Sequence, residues 1–371
     1  MRITRVEALP LKAGPLLVRV TTNEGIYGIG EAPGRWAPVL KPMIEQMLAP
    51  LIIDRDPRQT SRLWEDMFFS THRMGPMGLQ TTAIGAIDIA LWDITGKAAN
   101  LPLHTVLGGA ARNRIKLYWS TGEGWRLEPE EMLDKVKTGY QAGFRAFKIR
   151  MDWNANRQDA NPAKDREMFR LCRELLPREV PLSFDANNGY SVSTAIRQGQ
   201  RFQEMGISHF EEPIPQYDYI GLRQVTDALA VPVSSGEQEH TRWQFRNLIL
   251  HGNPDIIQPD IVMAGGISEV RRIMSLAEVF DKPVMPHSPS AAISLMASLH
   301  LYSTITNAVR PHEYSLELPP VIFNEDSEGW EAVFRLFKEP MQPHEGHMQL
   351  PTRPGLGLTL NEVELRRALA E

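Results

Sequence analysis

From residue 115 onward, short β-rich runs alternate with longer amphipathic stretches, and this alternation constrains the fold more than any other feature. Eight runs, 115–121, 146–150, 182–187, 209–213, 233–237, 256–260, 284–288 and 311–314, end at intervals of 29, 37, 26, 24, 23, 28 and 26 residues. Each interval is close to the ~30 residues of a strand, crossover helix and parallel strand. The gaps carry helical periodicity: Ala195, Ile196, Phe202 and Met205 recur at helical spacing between the third and fourth runs. Eight such units predict an α/β chain whose residues 113–319 form a TIM-type barrel, either (β/α)8 or (β/α)7β. An open doubly wound sheet is the alternative, but no Gly-x-Gly-x-x-Gly follows any of these runs.

Residues 1–112 read differently. Runs at 2–9, 16–22 and 26–31 alternate as strands, with Asn23-Glu24-Gly25 as a turn, and helical patterns follow at 37–49, 57–69 and 80–99. Asp56-Pro57 predicts a capping acid and a proline at the first position of the second helix. The first unit is therefore α+β. The segment 320–371, rich in Pro and Gly, is expected to pack back on it and complete it.

Composition excludes several function classes. With 40 Lys+Arg against 45 Asp+Glu, the net charge is −5, without a basic block for nucleic acid or an anionic membrane. The single Cys172 cannot form an internal disulfide or a Cys-based zinc site. No apolar stretch approaches 18 residues and the N-terminus is charged, so a cytoplasmic protein is expected.

The chemistry sits at the ends of the barrel runs, which in this architecture converge on one mouth. The second ends Phe147-Lys148-Ile149-Arg150, the third Phe184-Asp185-Ala186-Asn187, and the fourth Phe210-Glu211-Glu212-Pro213. The fifth ends Ser235-Gly236-Glu237, the sixth Gln258-Pro259-Asp260, the seventh Pro286-His287-Ser288 and the eighth His312-Glu313-Tyr314. Asp185, Glu211 and Glu237 lie on adjacent strands, 26 and 26 residues apart. Three carboxylates this close repel unless protonated or bound to a cation. All-oxygen ligation selects a hard ion such as Mg²⁺. With Lys148 and Arg150 beside a divalent ion, the pocket becomes net positive and suits a small-molecule carboxylate. Asp260 and His287, 27 residues apart, form a second pair. An Asp on one imidazole nitrogen fixes the tautomer and raises the basicity of the other, making His287 a candidate general base.

Taken as a set, Lys148-x-Arg150, Asp185, Glu211-Glu212-Pro213, Gly236-Glu237, Asp260 with Gly265-Gly266, His287 and Glu313 resemble the enolase superfamily, mandelate racemase-like branch. Gly28-Ile29-Gly30-Glu31 and the stretch from Ala86 to Asp93 extend the resemblance into the first unit, which matches the family's capping domain. The resemblance implies abstraction of the proton α to a carboxylate, giving an enediolate. It implies Asp185, Glu211 and Glu237 as Mg²⁺ ligands, Lys148 and Glu313 as contacts to the substrate carboxylate, Asn187 as a further substrate contact, and Glu212 behind the metal. It also implies a homo-oligomer, a dimer or octamer.

One departure decides the expected reaction. The branch commonly has Lys-x-Lys on the second strand, and here the second position is Arg150. Arginine stays protonated and is a poor proton acceptor. With one evident base, elimination is favoured over two-base racemisation: His287 removes the C2 proton, the C3 hydroxide leaves, and a 2-keto-3-deoxy acid results. The protonated His287 or another pocket group supplies the acid for the leaving hydroxyl. The segment Gly236 to Arg242 is similar to rhamnonate-dehydratase-like members, which points to a sugar acid, an aldonate or aldarate. The loops Lys12 to Pro15 and Ser70 to Gly78 are expected to select it, with Arg73 placed to meet the distal carboxylate of an aldarate. The alternatives are a racemase, epimerase or cycloisomerase on the same scaffold, a non-catalytic sugar-acid binder, and a Schiff-base aldolase using Lys148. The last leaves the three carboxylates unexplained.

Overall fold

The computed structural model describes residues 1–12, 14–152, 158–306, 308–316, 333–339 and 342–370. The loop 12–15 is therefore described only in part, and the expected boundary near residue 320 lies outside the described residues. No helix among the described residues is long and apolar enough to cross a membrane.

The chain opens with an antiparallel sheet of β1 (Ile3–Pro10), β2 (Leu16–Thr22) and β3 (Tyr27–Ala32) in the order β1-β2-β3. A helical run follows: α1 (Ala37–Pro42), a wider π-type turn at Met43–Leu48, and α2 (Ala49–Ile52). The next helix, α3 (Thr60–Thr71), starts later than Asp56-Pro57 implies. The Asp56 carboxylate instead accepts from the Arg58 backbone N–H at 3.0 Å and from its guanidinium at 2.7 and 2.9 Å, so it is not free to cap a helix.

Behind them lies α4 (Leu79–Ala99), which is buried along most of its length rather than amphipathic. That all-round burial marks a helix with neighbours on every side. On one side is β3, so close that a Cβ at Gly30 would sit 2.0 Å from the Ala86 carbonyl oxygen. Glycine is required there for backbone approach. On its other side lies the barrel.

After α5 (Leu103–Val106), the parallel strands are β4 (Arg114–Thr121), β5 (Phe147–Arg150), β6 (Leu182–Asp185), β7 (Phe210–Glu211), β8 (Val233–Ser235) and β9 (Ile256–Ile257). The segment 284–287 joins β9 through isolated parallel bridges, Ile257 to Val284 and Asp260 to His287. Strand β10 (His312–Tyr314) closes on β4, which also receives β11 (His347–Gln349) antiparallel. The crossover helices are α6 (Pro129–Gln141), α7 (Pro162–Leu175), α8 (Val192–Glu204), α9 (Tyr219–Ala228), α10 (Thr241–Asn247), α11 (Ile267–Val279) and α12 (Ile293–Tyr302). This is the expected TIM-type barrel beside an antiparallel capping sheet.

The C-terminal segment returns to both parts. Besides β11 on β4, Leu369 bridges Leu11 and Glu362 pairs with Arg19 at 2.8 Å. Inside the barrel, Tyr118, Ala146, Ile256 and Met285 form a small apolar cluster separate from the main core. Two residues further along each strand come Ser120, Lys148, Gln258 and His287. Since side chains alternate with period two, the apolar cluster floors a pocket whose upper layers are polar.

Candidate active site

Register brings the strand-end residues together. Arg150 pairs with Asp185 across β5 and β6, and Asp185 with Glu211 across β6 and β7. Glu237 lies two residues past the end of β8, where Gly236 at φ 134° turns the backbone out of the strand. The result is a triad: Asp185, Glu211 and Glu237 offer carboxylate oxygens all within 4.8 Å of one another.

Asp185 and Glu211 are buried, Glu237 is partly so, and the triad is electrostatically frustrated. Burial, and then the charge of Glu211, push Asp185 well above the usual carboxylate range. Burial likewise raises Glu237. Glu211 moves the other way: burial opposes its charge, but Lys148 outweighs it and keeps the carboxylate ionised. Mutual repulsion between close carboxylates is relieved by a cation, and oxygen-only donors suit a hard divalent ion. The residues present therefore fit Mg²⁺.

Lys148 is fully buried beside them. Its Nζ donates to Glu211 Oε1, lies 3.0 Å from Glu313 Oε1 and 3.5 Å from Asp185 Oδ2. Burial disfavours the ammonium, yet Glu211 and Glu313 outweigh it and hold Lys148 protonated. Glu313 is fixed on its other oxygen by the Ser288 backbone N–H at 2.8 Å.

Facing the triad stands the dyad. His287 Nδ1 is 2.9 Å from Asp260 Oδ2, and its Nε2 is 3.4 Å from Glu237 Oε2. The backbone N–H groups of Val262 and Met263 donate to Asp260 Oδ1 at 2.8 and 2.9 Å, fixing that carboxylate. Burial opposes an imidazolium, but Glu237 and Asp260 override it and push His287 up to about 10. A cation held by Glu237 would offset much of that attraction and lower the imidazole again.

The remaining expected residues are placed less directly. Arg150 pairs with Asp152 at 3.2 Å, with its guanidinium against Gly122 at the end of β4. The Asn187 amide is engaged within the protein: Nδ2 donates to Asp185 Oδ2 at 3.2 Å and Oδ1 accepts from the Asp152 N–H at 2.7 Å. Glu212 accepts from Asn188 Nδ2 at 2.7 Å and Gln238 Nε2 at 3.0 Å. Arg73 is exposed in the turn 72–74 and makes no hydrogen bond or ion pair with triad or dyad among the described residues.

Three residues to which the sequence reading gave no role support the triad. His209 Nε2 lies 3.3 Å and Gln258 Nε2 2.7 Å from Glu211 Oε2, and Ser183 Oγ meets His209 Nδ1 at 2.7 Å. Ser183 and His209 each precede a triad acid by two positions, and Gln258 precedes Asp260 by two. Period-two alternation from the acids was the available signal.

Known proteins share this architecture. Residues 131–364 match the family Enolase C-terminal domain-like, and residues 11–108 match the family Mandelate racemase / muconate lactonizing enzyme, N-terminal domain. The chain is 30% identical to the arabinonate dehydratase of Saccharolobus solfataricus over 92% of its own length and 87% of that protein. It is 31% identical to the D-galactarolactone cycloisomerase of Agrobacterium fabrum over 94% and 90% of the two chains. A mandelate racemase/muconate lactonizing protein of Paracoccus denitrificans, solved in complex with magnesium, superposes with a TM-score of 0.91 at 33% identity, covering 99% of this chain and 96% of that one. A barrel closed by a capping sheet, with a carboxylate triad facing a His–Asp dyad, thus has its relatives: the chain belongs to the enolase superfamily, in its mandelate racemase/muconate lactonizing branch.

Proposed function

We propose that this protein is a Mg²⁺-dependent dehydratase of a sugar acid, an aldonate or aldarate. The observation that carries the reading is His287, held on Asp260, with its Nε2 3.4 Å from Glu237 of a carboxylate triad whose other two members, Asp185 and Glu211, meet Lys148. Asp185, Glu211 and Glu237 would hold the ion, which supplies Lewis-acid stabilisation of charge developing on the substrate carboxylate.

The chain's own residues do the rest. Lys148, protonated, offers its Nζ to a carboxylate oxygen, and Glu313, kept ionised by Lys148 in the free chain, takes up a proton as the anionic substrate enters between them and donates to the other. Both contacts strengthen as the carboxylate becomes an enediolate, which lowers the barrier more than it stabilises the ground state. His287 Nε2 takes the C2 proton while Asp260 holds Nδ1–H and balances the imidazolium. The C3–O bond then breaks, the proton on His287 leaves with the hydroxide as water, and the enol tautomerises to a 2-keto-3-deoxy acid. Arg150 stays a fixed positive charge, because a guanidinium does not accept the proton a second base must take. The dehydratase names among relatives support elimination.

The second reading is a cycloisomerase, supported by the relative of that name. Product analysis separates the two. Incubation of an aldonate and aldarate panel with Mg²⁺ should give a semicarbazide-positive 2-keto product; a ring-isomerised product without it favours the second. His287→Asn should abolish both the product and solvent-deuterium uptake at C2. Retained turnover removes His287 as the base.

A further inference from the structure

The two segments that carry the dyad are each gripped from outside the barrel. Asp260 begins a tight turn, 260–266, that leads directly into α11. His287 begins the segment leading into α12. Neither turn is held by barrel contacts alone.

The turn after Asp260 is held by α3 and α4. Trp64 of α3 donates its Nε1–H to the Gly265 carbonyl at 2.7 Å. Thr82 of α4 meets Met263 Sδ at 3.6 Å. One turn on, α4 comes so near that a Cβ at Gly85 would lie 2.3 Å from the Val262 carbonyl oxygen. Next, Asp88 accepts from the Ser268 backbone N–H at 2.8 Å and from the Ser268 hydroxyl at 2.6 Å, at the start of α11. Trp92 completes the row by donating to Ser268 Oγ at 2.9 Å. The same arrangement recurs at α12. Glu31 of β3 accepts from the Ile293 N–H at 3.0 Å and from the Ser294 hydroxyl.

The capping region thus places one buried carboxylate on the first turn of each helix that follows a dyad residue. Both carboxylates satisfy N–H groups that have no partner within their helix, and both complement the positive end of its dipole. Among the other barrel helices, Asn161, Ser191 and Asp218 cap α7, α8 and α9 from their own flanks, and the Arg242 N–H at the start of α10 donates to Glu269 of α11 at 2.7 Å, a carboxylate within the barrel rather than the capping region. Local capping would have been sufficient for α11 and α12 if only helix stability were at stake. Borrowing the cap from another part of the molecule ties the position of Asp260 and His287 to the docking of the capping region.

We infer that Asp88 and Glu31 are positioning residues, which set the hydrogen-bonded geometry of the Asp260–His287 dyad by anchoring the helices that follow it. The inference rests on the dyad reading above for its catalytic meaning, but its test does not. Val262 and Met263, whose N–H groups fix Asp260 Oδ1, lie in the turn that Trp64, Thr82 and Gly85 contact. Loosening the start of α11 lets that turn shift, and the Asp260–His287 bond opens more often.

The test observes that bond in the full chain in Mg²⁺ buffer. The His287 Nδ1–H proton, assigned by its loss in His287→Asn, is followed by ¹⁵N-histidine NMR, and its solvent exchange is timed. Asp88→Ala, folded by circular dichroism, should speed exchange about tenfold or more, and Ser268→Ala about fivefold, since each bond contributes about 1 kcal/mol to local closure. Asp93→Asn, equally buried on α4 but bonded to Ile29 and Leu356 rather than to a dyad helix, should leave exchange unchanged. Unchanged exchange in folded Asp88→Ala overturns the inference, as does an equal effect from Asp93→Asn. If Asp88→Ala does not fold, Ser268→Ala decides alone, and unchanged exchange there overturns it. Retained C2 deuterium uptake in His287→Asn would remove the base assignment while leaving the coupling measured in Asp88→Ala intact.

Discussion

Two groups of acids in the molecule differ in what surrounds them. At the barrel mouth, Asp185, Glu211 and Glu237 face one another within 4.8 Å. In the capping region, Glu31, Asp88 and Asp93 are deeply buried, yet backbone N–H groups meet each of them: Ile293 for Glu31, Ser268 for Asp88, Ile29 and Leu356 for Asp93. Burial raises Asp185, Glu237, Asp88, Asp93 and Glu31 alike. At the mouth, the charge of Glu211 is the next largest influence on Asp185 and adds to the rise; in the capping region the next largest influence works against it, a hydrogen bond from Ser268 at Asp88, one from Ser294 at Glu31 and the Lys97 charge at Asp93. An acid met by donors alone holds structure together. An acid that also faces other acids, as Asp185 does although the Asn187 N–H donates to it at 2.8 Å, repels them until a cation or a proton intervenes.

Substitution should therefore act with opposite sign in the two groups. Asp185→Asn removes a repelling charge while keeping the shape. Its Mg²⁺ affinity, read by isothermal titration calorimetry, should fall by at least the ~10–100-fold that loss of an outer-sphere partner costs. The metal-free variant should be no less stable than the parent in a denaturant melt. Asp93→Ala should do the reverse. It leaves two buried N–H groups and the Lys97 ammonium, now 2.7 Å from the carboxylate, without their acceptor. The cost should be ~3–5 kcal/mol with Mg²⁺ affinity intact. A stability loss in Asp185→Asn comparable to that of Asp93→Ala would erase the distinction.

The two groups also differ in how far the sequence revealed them. The triad and dyad were legible because each member sits one β/α unit from the next, and chain connectivity alone places such residues side by side. The ladders are shorter than the sequence implies: β7 and β9 span two residues each and β8 three, so Glu237 lies past its strand, and Asp260 and His287 meet each other only through an isolated bridge. The grip on the dyad was not legible. Asp88 meets Ser268 across 180 residues and Glu31 meets Ile293 across 262, and no periodicity encodes such partners. The misplaced start of α3 has a local cause, since Arg58 claims the Asp56 side chain before a helix N-terminus can.

The pH dependence of stability sharpens the contrast within the capping group. Burial raises Asp88 to about 7, above the unfolded value. Between about pH 4 and pH 7 the folded chain then keeps a proton that the unfolded chain has released, so stability falls as pH rises through that window. Above pH 7 both states are ionised and the loss is complete. Each unit of separation corresponds to about 1.4 kcal/mol, which sets a ceiling on the slope per pH unit. Asp88→Asn lacks this term. In urea melts from pH 5 to 8, the parent should lose stability relative to Asp88→Asn up to pH 7 and run parallel thereafter. Parallel curves throughout would mean that Asp88 ionises like an exposed carboxyl.

Arg73 should show the smallest effect and the finest discrimination. It is exposed on the turn that follows α3, so Arg73→Ala should change stability by no more than about 0.5 kcal/mol. Its proposed role is to meet the far carboxylate of an aldarate, which an aldonate lacks. An exposed guanidinium–carboxylate contact contributes about 1 kcal/mol at most, or roughly a fivefold change in affinity. Arg73→Ala should accordingly raise KM for aldarates by up to that factor, leave KM for aldonates unchanged and leave kcat alone for both. Equal KM values for the two classes in parent and variant would make Arg73 a solvated charge and move recognition of the distal end to groups nearer the triad.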